Sequence, residues 1–377
     1  MRIPVRHFHR LAWAAVILTF GVIFLGGFTR LNNAGLSCPD WPTCYGKVTW
    51  PNDANEIAQA NATFERAVEV NKAILEQVHR HMAATLGLFI AALALLAARR
   101  RPGGLGIVFG GMALVVAAIF TYMAGHPAAA LLLAGAGKLV WLYGLVRWSD
   151  GVTRLSMALL VLVTFQSLLG MWTVVWLVKP AIVMSHLMGG LLTFSLLTVL
   201  AWWTTPNATR VHVDAPSLRV WMWVGLALLA IQIALGGWVA ANYAALACGL
   251  DFPKCKGVWW PATDFGEGFT LWRGIGVDFE GGVLDGAARA AIQLAHRIGA
   301  VVVTAYFLIL GFRLAFAPGF RTSGVVLLLL LVLQVALGIG NVVMGLPLWV
   351  ATAHLMVAVV MLFTVVTLLA RLRSPGT

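Results

Sequence analysis

Long apolar segments separated by short polar ones are the dominant pattern of this chain. Runs of about 20 residues with few or no charges recur along it, and this is the length that crosses a bilayer as a helix. The hydrocarbon core offers no water to unpaired backbone groups, so such runs are expected to be helical. The pattern predicts an all-α integral membrane protein with about ten transmembrane helices: 11–31, 77–98, 105–124, 127–147, 155–178, 181–203, 219–240, 291–312, 323–344 and 348–370.

The apolar segments fall into two similar sets, which indicates an internal duplication. The stretch GGFTRLNNAGLSC from Gly26 recurs 210 residues later as GGWVAANYAALAC from Gly236, and HR at His79 recurs at His296. QSLLG and SHLMGG of the first half recur as QVALG and AHLMVA in the second, at a smaller offset. Two long copies predict two pseudo-symmetric four-helix transmembrane bundles rather than a solenoid of short units.

The change of offset locates an insertion in the first half. Residues 103–150 have no counterpart and are predicted to form one inserted helical hairpin, which preserves the alternation of the later helices across the membrane. We therefore expect an N-terminal bundle over 1–203, including this hairpin, and a C-terminal bundle over 204–377. Lys138 would cost about 2.5–3.5 kcal/mol in mid-membrane, which leaves two alternatives for the second inserted segment: a re-entrant path, or a lysine facing a protein-lined cavity.

The charges also sort to the two sides of the predicted membrane. The chain is 60% hydrophobic and 11% charged, with a formal net charge of +12. A set of arginines falls on one side if the helices alternate, and the positive-inside rule makes that side cytoplasmic, with both termini inside. This distribution indicates membrane orientation rather than nucleic-acid binding. The basic N-terminus also fits a signal peptide, but the first helix recurs within the chain, so we expect it to be retained. These arginines are Arg2, Arg6, Arg10, Arg99, Arg100, Arg101, Arg147, Arg154, Arg210, Arg219, Arg313, Arg321, Arg371 and Arg373.

Four histidines are predicted to lie at a similar depth. Each is a few residues from the outer end of its helix, which at 1.5 Å per residue is within about 10 Å of the outer surface. They supply one pair per bundle: His79 with His186, and His296 with His354. A lone intramembrane histidine is commonly a hydrogen-bonded structural residue, but facing helices of bundles also hold cofactors, and haem iron binds imidazole. Four symmetry-related histidines therefore predict two haem sites with two axial ligands each.

The remaining histidines are not expected to bind iron. His7, His9 and His212 fall in predicted cytoplasmic segments, and His126 falls in the turn of the inserted hairpin. His81 lies two residues past a predicted ligand and so faces another side of its helix. Zinc fits the two histidine pairs less well than haem does, since no third or fourth ligand has a suitable spacing.

The two predicted sites differ in one neighbour. Glu76 stands three residues before His79, and Gln293 stands three before His296. Residues spaced i, i+3 share a helical face, so only the first site has a carboxyl group beside its histidine, where it could serve in proton transfer or be a solvated interfacial residue. A di-iron carboxylate centre would need Glu-x-x-His twice, and the motif occurs once. The asymmetry predicts chemistry in the first bundle and a bound cofactor in the second.

All four cysteines lie in the two long loops predicted outside: Cys38, Cys44, Cys248 and Cys255. An oxidising outer compartment favours disulfides, and each pair is near enough in sequence to close a short loop, although free or metal-bound thiols are the alternative. We expect two disulfide-stapled loops rich in Trp, Pro and Gly, each covering the histidine site of its own bundle. A redox role for the first pair stays open.

Several of these stretches resemble the haem A synthase family: GGFTRLNNAGLSCPDWP, EQVHRHMAATLG, LLGMWTV, SHLMGG, HRIGA and AHLMVA. The resemblance covers nearly the whole chain except 103–150; the family usually has eight transmembrane helices, so the hairpin is a departure. It implies a bacterial inner-membrane enzyme that oxidises the C8 methyl group of haem O to a formyl group, giving haem A for terminal oxidases. Haem O synthase and an electron acceptor are the implied partners.

The resemblance also assigns roles to individual residues. It implies that His79 and His186 flank haem O with Glu76 as the catalytic carboxylate, and that His296 and His354 are the axial ligands of haem b. It matches Cys38–Cys44 to the family's first-loop disulfide; the second cysteine pair occurs in only part of the family.

Two other functions use the same residues. A di-haem b-type cytochrome that passes electrons to or from quinone would need the four histidines, but it gives no reason for the Glu76/Gln293 asymmetry. A transporter would commonly have inverted repeats with sites near the midplane, whereas both copies here have one orientation and carry their polar residues near the outer edge. Haem A formation and haem content separate the three.

Overall fold

The computed structural model describes residues 7–208, 211–212 and 216–373. Arg2, Arg6 and Arg210 of the orientation argument lie outside the described residues. The helices are α1 Phe8–Leu31, α2 Ala54–Thr63, α3 Val70–Ala98, α4 Gly104–Met123, α5 Pro127–Arg147, α6 Gly151–Val175, α7 Pro180–Thr204, α8 Pro216–Ala241, α9 Phe265–Gly268, α10 Gly286–Phe316, α11 Arg321–Val343 and α12 Leu348–Arg371; the strands are β1 Val211–His212 and β2 Leu372–Arg373.

Ten of these helices are long and apolar enough to cross a membrane, and each matches one predicted run. The prediction of an all-α membrane protein is confirmed, since β1 and β2 form only a two-residue parallel pair. The short helices α2 and α9 were not predicted. They lie in the two segments that we call the first long loop (32–69) and the second long loop (242–285), and each begins at an aspartate that accepts a backbone N–H. Polar composition hid them from a search for apolar runs.

The four helices of the second repeat form a closed ring. Helix α10 packs on α8 and α11, and α12 packs on α11 and α8. Glycines allow the close approach of α10 and α11: a side chain at Gly311 would meet Leu328, and one at Gly324 would meet the backbone of Ala315. This is the four-helix arrangement expected of one copy, with α10 and α12 carrying the predicted ligands.

The insertion is an antiparallel hairpin of α4 and α5. Trp141 of α5 is buried against Gly111 and donates its indole N–H to the carbonyl of Val108 at 3.2 Å. Helix α5 is continuous over its full length and long enough to span a membrane, which favours a spanning helix over the re-entrant alternative. The amine of half-buried Lys138 lies 5.4 Å from the ring centre of Phe165, a cation–π contact that offsets part of the cost of an amine in an apolar helix.

The chain divides into two compact units. One comprises Met1–Gly21, His81–Leu168 and Leu192–Thr209; the other comprises Val22–Arg80, Leu169–Leu191 and Arg210–Thr377. The second unit contains all four candidate histidines, Glu76 and the four cysteines. The division into bundles 1–203 and 204–377 follows from the repeat and stays a prediction.

Candidate functional site

The first predicted histidine pair is brought together. His79 of α3 and His186 of α7 have ring centres 6.5 Å apart and ring planes at 89°. A metal lies about 2 Å from a coordinating imidazole nitrogen and that nitrogen lies about 1 Å from its ring centre, so two axial imidazoles on one iron place their ring centres roughly 6 Å apart. The observed spacing fits a pair of axial ligands.

A glycine faces each imidazole of the first pair. A Cβ at Gly26 of α1 would lie 2.7 Å from Cε1 of His79, and one at Gly170 of α6 would lie 3.4 Å from Cε1 of His186. Larger side chains at these places would push against the rings. The glycines therefore form a cradle that accepts the edge of each imidazole, which fixes where the ring can stand.

The second pair has the same cradle. His296 lies on α10 with Cε1 3.2 Å from the Cβ position of Gly236, and His354 lies on α12 with Cε1 3.0 Å from that of Gly338. Both helices belong to the closed ring of the second repeat. The glycines of the repeated motifs thus accommodate the edges of the histidine rings in both copies, a role that the sequence did not reveal.

Two glutamines hold the imidazoles of the second pair. Nε2 of Gln232 lies 3.1 Å from Nδ1 of His296 and donates to the backbone carbonyl of the same residue at 3.0 Å. Nδ1 of His354 lies 3.1 Å from the backbone oxygen of Gln334, whose amide nitrogen is 3.3 Å from Nε2 of the ring. Hydrogen bonds of this kind orient histidine ligands. Gln232 was missed because the repeat places Val22 at the matching position.

Glu76 is buried and held at both carboxylate oxygens. The residue is only 5% exposed to solvent. Oε2 accepts the backbone N–H of Cys38 at 2.9 Å, and Oε1 accepts from Arg80 at 2.5 Å. The alternative of a solvated interfacial glutamate is wrong, because the carboxylate is enclosed between α3 and the first long loop. It stands one helical turn from His79, on the same side of α3.

The corresponding place in the second repeat is neutral. Gln293 is 4% exposed, and its amide oxygen has no hydrogen-bond partner among the described residues. Arg297, the counterpart of Arg80, donates to three backbone carbonyls, those of Asp251, Pro253 and Lys254. Only the first site therefore holds a carboxylate and a guanidinium side by side.

Both cysteine pairs form disulfides, as predicted: Cys38–Cys44 and Cys248–Cys255. We call the two closed segments the first hairpin (38–47) and the second hairpin (248–258). In each, an aspartate accepts backbone N–H groups, Asp40 from Tyr45 and Gly46 and Asp251 from Gly257. An arginine of the histidine helix then binds the hairpin carbonyls, so the HR motif joins each hairpin to its own ligand-bearing helix.

Arg80 shows how this connection works in the first repeat. It donates to the carbonyls of Asp40 and Thr43 at 2.8 and 2.7 Å and to that of Cys38 at 3.3 Å. The same guanidinium binds Glu76. The first hairpin, the arginine and the carboxylate therefore form one connected network above His79.

The second long loop also reaches the first repeat. Phe279 is buried with Leu36 and Val178, and its backbone N–H donates to the carbonyl of Leu177 at 3.2 Å. Glu280 pairs with Arg66 and raises the pKa of that guanidinium. Expecting each loop to cover only its own bundle was therefore incomplete, because this loop also closes over the turn between α6 and α7.

A buried lysine adds to this contact. Lys179, between α6 and α7, is 1% exposed, donates to the carbonyls of Arg273 and Gly274, and lies 3.4 Å from the ring centre of Trp272. Burial lowers the pKa of its amine. The lysine thus fastens the second long loop to the first repeat through backbone and aromatic partners.

The two repeats also pack on each other at the glycine pairs. A Cβ at Gly27 of α1 would strike Leu355, the residue after His354, and one at Gly237 of α8 would lie 2.9 Å from Leu187, the residue after His186. The first glycine of each pair thus faces a histidine of its own repeat, and the second faces the other repeat.

Among the other histidines that the structure describes, His9 differs from its predicted placement in a solvated segment: it lies in the first turn of α1, partly buried, and its buried Nδ1 has no hydrogen-bond partner among the described residues. His81 and His126 are exposed, and His7 is exposed just before α1. None of these three approaches the two histidine pairs as a further ligand in the contacts of the described residues.

Comparison with known proteins identifies close relatives. The sequence profile of the COX15-CtaA family, described as "Cytochrome oxidase assembly protein", matches residues 9–366. The protein named "Heme A synthase" of Shewanella oneidensis is 35% identical over 355 residues, covering 94% of this chain and 93% of that protein. Proteins of the same name from Rhizorhabdus wittichii and Paramagnetospirillum magneticum are 28% and 26% identical, over 92% and 90% of this chain and 88% and 86% of their own lengths.

Proposed function

This chain belongs to the COX15-CtaA family of cytochrome oxidase assembly proteins, and we propose on that basis that it is a haem A synthase, which converts haem O into haem A. The conversion oxidises the C8 methyl group of the substrate to a formyl group, so the enzyme is an oxidoreductase acting on a C–H bond. Its ten membrane-length helices make it a multi-pass membrane protein. Haem O is itself apolar, and a membrane bundle is a suitable place to bind it.

The observation that carries the proposal is the first histidine pair. His79 and His186 present two imidazoles at the spacing of axial ligands, and Gly26 and Gly170 leave room for their ring edges. The two imidazoles bind haem O at its iron and hold the substrate in one orientation. Because the reacting methyl group is on the porphyrin edge, fixing the macrocycle also fixes the position of the reacting carbon.

Glu76 provides a proton acceptor beside this site. An ionised carboxylate has about four lone-pair positions, and Glu76 uses up to three of them for the backbone N–H groups of Ser37 and Cys38 and the side chain of Arg80. The remaining position can accept a proton released as the methyl group is oxidised. Arg80 and the first hairpin hold the carboxylate in place and exclude bulk water from it.

The second pair supports a resident haem b. Nδ1 of His296 and Nδ1 of His354 each lie within hydrogen-bonding distance of a glutamine, so Nε2 of each ring would be the atom that holds the iron of haem b; Gln334, which lies 3.3 Å from Nε2 of His354, would then have to move away. Haem b, when bound there, would supply one-electron redox chemistry. The neutral Gln293 gives the second site no proton acceptor of its own.

The same reasoning assigns the wider setting. We place the first site in the bundle 1–203 and the second in 204–377, in the inner membrane of a bacterium with both termini cytoplasmic. The flanking arginines that the structure describes support this orientation. Haem O synthase supplies the substrate, and a redox partner accepts the electrons.

Pigment analysis tests the function directly. The protein is expressed in membranes with and without haem O synthase, purified, and its haems are extracted and separated by chromatography. A haem A synthase yields haem A only when haem O is supplied, together with haem b in either case. A b-type cytochrome that only carries electrons would retain haem b and form no haem A, and that result would overturn the proposal.

A further inference from the structure

The two disulfide hairpins share a framework but present different surfaces. Both have the cysteine closure, the aspartate that caps the turn and the arginine clamp described above. Alignment of the repeats matches Val48 to Trp259 and Trp50 to Trp260. Because the scaffold is the same, the difference in what each hairpin exposes reflects the side chains and the chain that follows.

The first hairpin is covered by its own loop. Tyr45 is 6% exposed, packs edge-on against Phe64 with ring centres 5.3 Å apart, and donates its hydroxyl to the carbonyl of Ala67 at 3.1 Å. Lys47 is neutralised by Glu56 of α2. Helix α2 and the chain after it thus bury the aromatic side of this hairpin and pair its cation.

The second hairpin has no such cover among the described residues. Tyr45 is replaced by exposed Lys256, and the chain proceeds to the four-residue helix α9. Trp259 and Trp260 are 68% and 61% exposed, and the amine of Lys254 lies 5.9 Å from the ring centre of Trp259. Residues 252–260, FPKCKGVWW, contain two lysines and no acidic side chain. We call these residues the Trp–Lys tip.

We propose that the Trp–Lys tip docks on anionic lipid headgroups of the leaflet next to the two long loops. The same loop exposes further apolar side chains, since Leu246 and Leu250, which follow the end of α8, are 39% and 58% exposed. Tryptophan is enriched at the membrane–water interface, where its ring is apolar and its N–H is wet. Lysines near an anionic surface each contribute about 1 kcal/mol of attraction.

The proposal goes beyond haem chemistry and does not depend on it. The second long loop that carries the tip also contacts the first repeat through Phe279, Glu280 and Lys179. A lipid-seated tip would give this loop a fixed point on the membrane, at one end of the segment that closes over the α6–α7 turn.

A lipid-quenching experiment on the full-length protein tests the docking. All four native cysteines are in disulfides, so a maleimide fluorophore labels only an introduced cysteine. Trp259→Cys carries the probe in the tip, and Val48→Cys is the matched control, since Val48 is 73% exposed on the first hairpin. Each protein is placed in nanodiscs of phosphatidylcholine alone or mixed with phosphatidylglycerol, containing a lipid spin-labelled at the headgroup.

We expect quenching of the probe at position 259 to be at least about twofold stronger than at position 48 in the anionic discs, and to weaken in neutral discs or high salt. Lys254→Gln with Lys256→Gln should reduce it to the neutral-disc value. Equal quenching at the two positions, or quenching at 259 that does not respond to phosphatidylglycerol and salt, would overturn the proposal. Trp260→Cys provides a second labelling position, and a wild-type elution volume in size-exclusion chromatography together with a wild-type circular dichroism spectrum confirms that each variant is folded.

Discussion

The two histidine sites share one framework and differ in the polar groups placed on it. In both, a pair of helices presents imidazoles whose edges rest on glycine. Around the first pair stand Glu76 and the Arg80 guanidinium, and around the second stand Gln293 and the glutamines that hold the rings. Duplicated geometry thus provides two places to hold a porphyrin. Under the proposed function, the charged neighbours distinguish the site that turns over a substrate from the site that keeps a cofactor.

Removal of a first-pair imidazole should give the largest difference between the sites. His79→Ala or His186→Ala deprives haem O of an axial ligand, so haem A formation should be abolished while haem b stays bound at the second pair. Extracted pigments from membranes containing haem O synthase provide the measurement. His296→Ala is the reciprocal variant and should lose haem b. Wild-type levels of haem A in either first-pair variant would show that these histidines are not the substrate ligands.

Exchanging the polar neighbour is the next strongest test. Glu76→Gln keeps an acceptor for the Cys38 N–H but removes the proton acceptor, so the rate of haem A formation should fall by about 10²- to 10⁴-fold with haem O still bound. The matched control, Gln293→Glu, adds a carboxylate to the second site and should leave the rate nearly unchanged. A Glu76→Gln enzyme of normal rate and normal haem content would remove Glu76 from the mechanism.

The glycine cradles predict a smaller and graded effect. A Cβ at Gly26 would lie 2.7 Å from His79, whereas one at Gly236 would lie 3.2 Å from His296. Overpacking of this kind costs about 1–3 kcal/mol, so Gly26→Ala should weaken haem retention at the first site more than Gly236→Ala does at the second. Haem content after detergent washing measures both. The reverse order would mean that the imidazoles move away freely and the cradle does not position them.

The smallest expected effect belongs to the glutamine that has no counterpart. Gln232→Val copies Val22 into the second repeat and removes the hydrogen bond to Nδ1 of His296. The loss of a single hydrogen bond costs about 0.5–1.5 kcal/mol, so haem b should dissociate more readily while haem O binding is unchanged. Titration with an apoprotein that captures haem follows the dissociation. Unchanged haem b retention would assign Gln232 to packing alone.

The transmembrane framework was predictable because apolar runs of membrane length have few alternative folds in a bilayer. The residues at which the helices begin were less predictable. Helix α3 begins at Val70, seven residues before the predicted start, since VNKAILE continues the helix with polar residues beyond the apolar run. Helix α10 begins five residues early, after Asp285 accepts the N–H of Ala288. Hydropathy indicates the length of the segment that lies in lipid, whereas hydrogen bonds decide at which residue its helix begins.

The candidate site was predictable as far as the duplication exposed it. His79, His186, His296 and His354 stood out because each recurs, and the first pair proves to be adjacent. Gln232 did not recur and left no signal. The role of the arginine in the HR motif was not predictable, because Arg80 joins Glu76 to the first hairpin through contacts between segments distant in sequence. Such contacts leave no periodic pattern in the sequence.

The crossed packing of Gly27 on Leu355 and of Gly237 on Leu187 has a consequence for the history of the chain. One histidine-bearing helix of each copy, α7 or α12, rests against the opposite copy, so a bulkier residue at either glycine would require a compensating change in the other half. After the duplication, neither copy was free to drift as a separate subunit. A change at this seam therefore affects both copies at once, whereas the polar side chains around each histidine pair can differ between the copies.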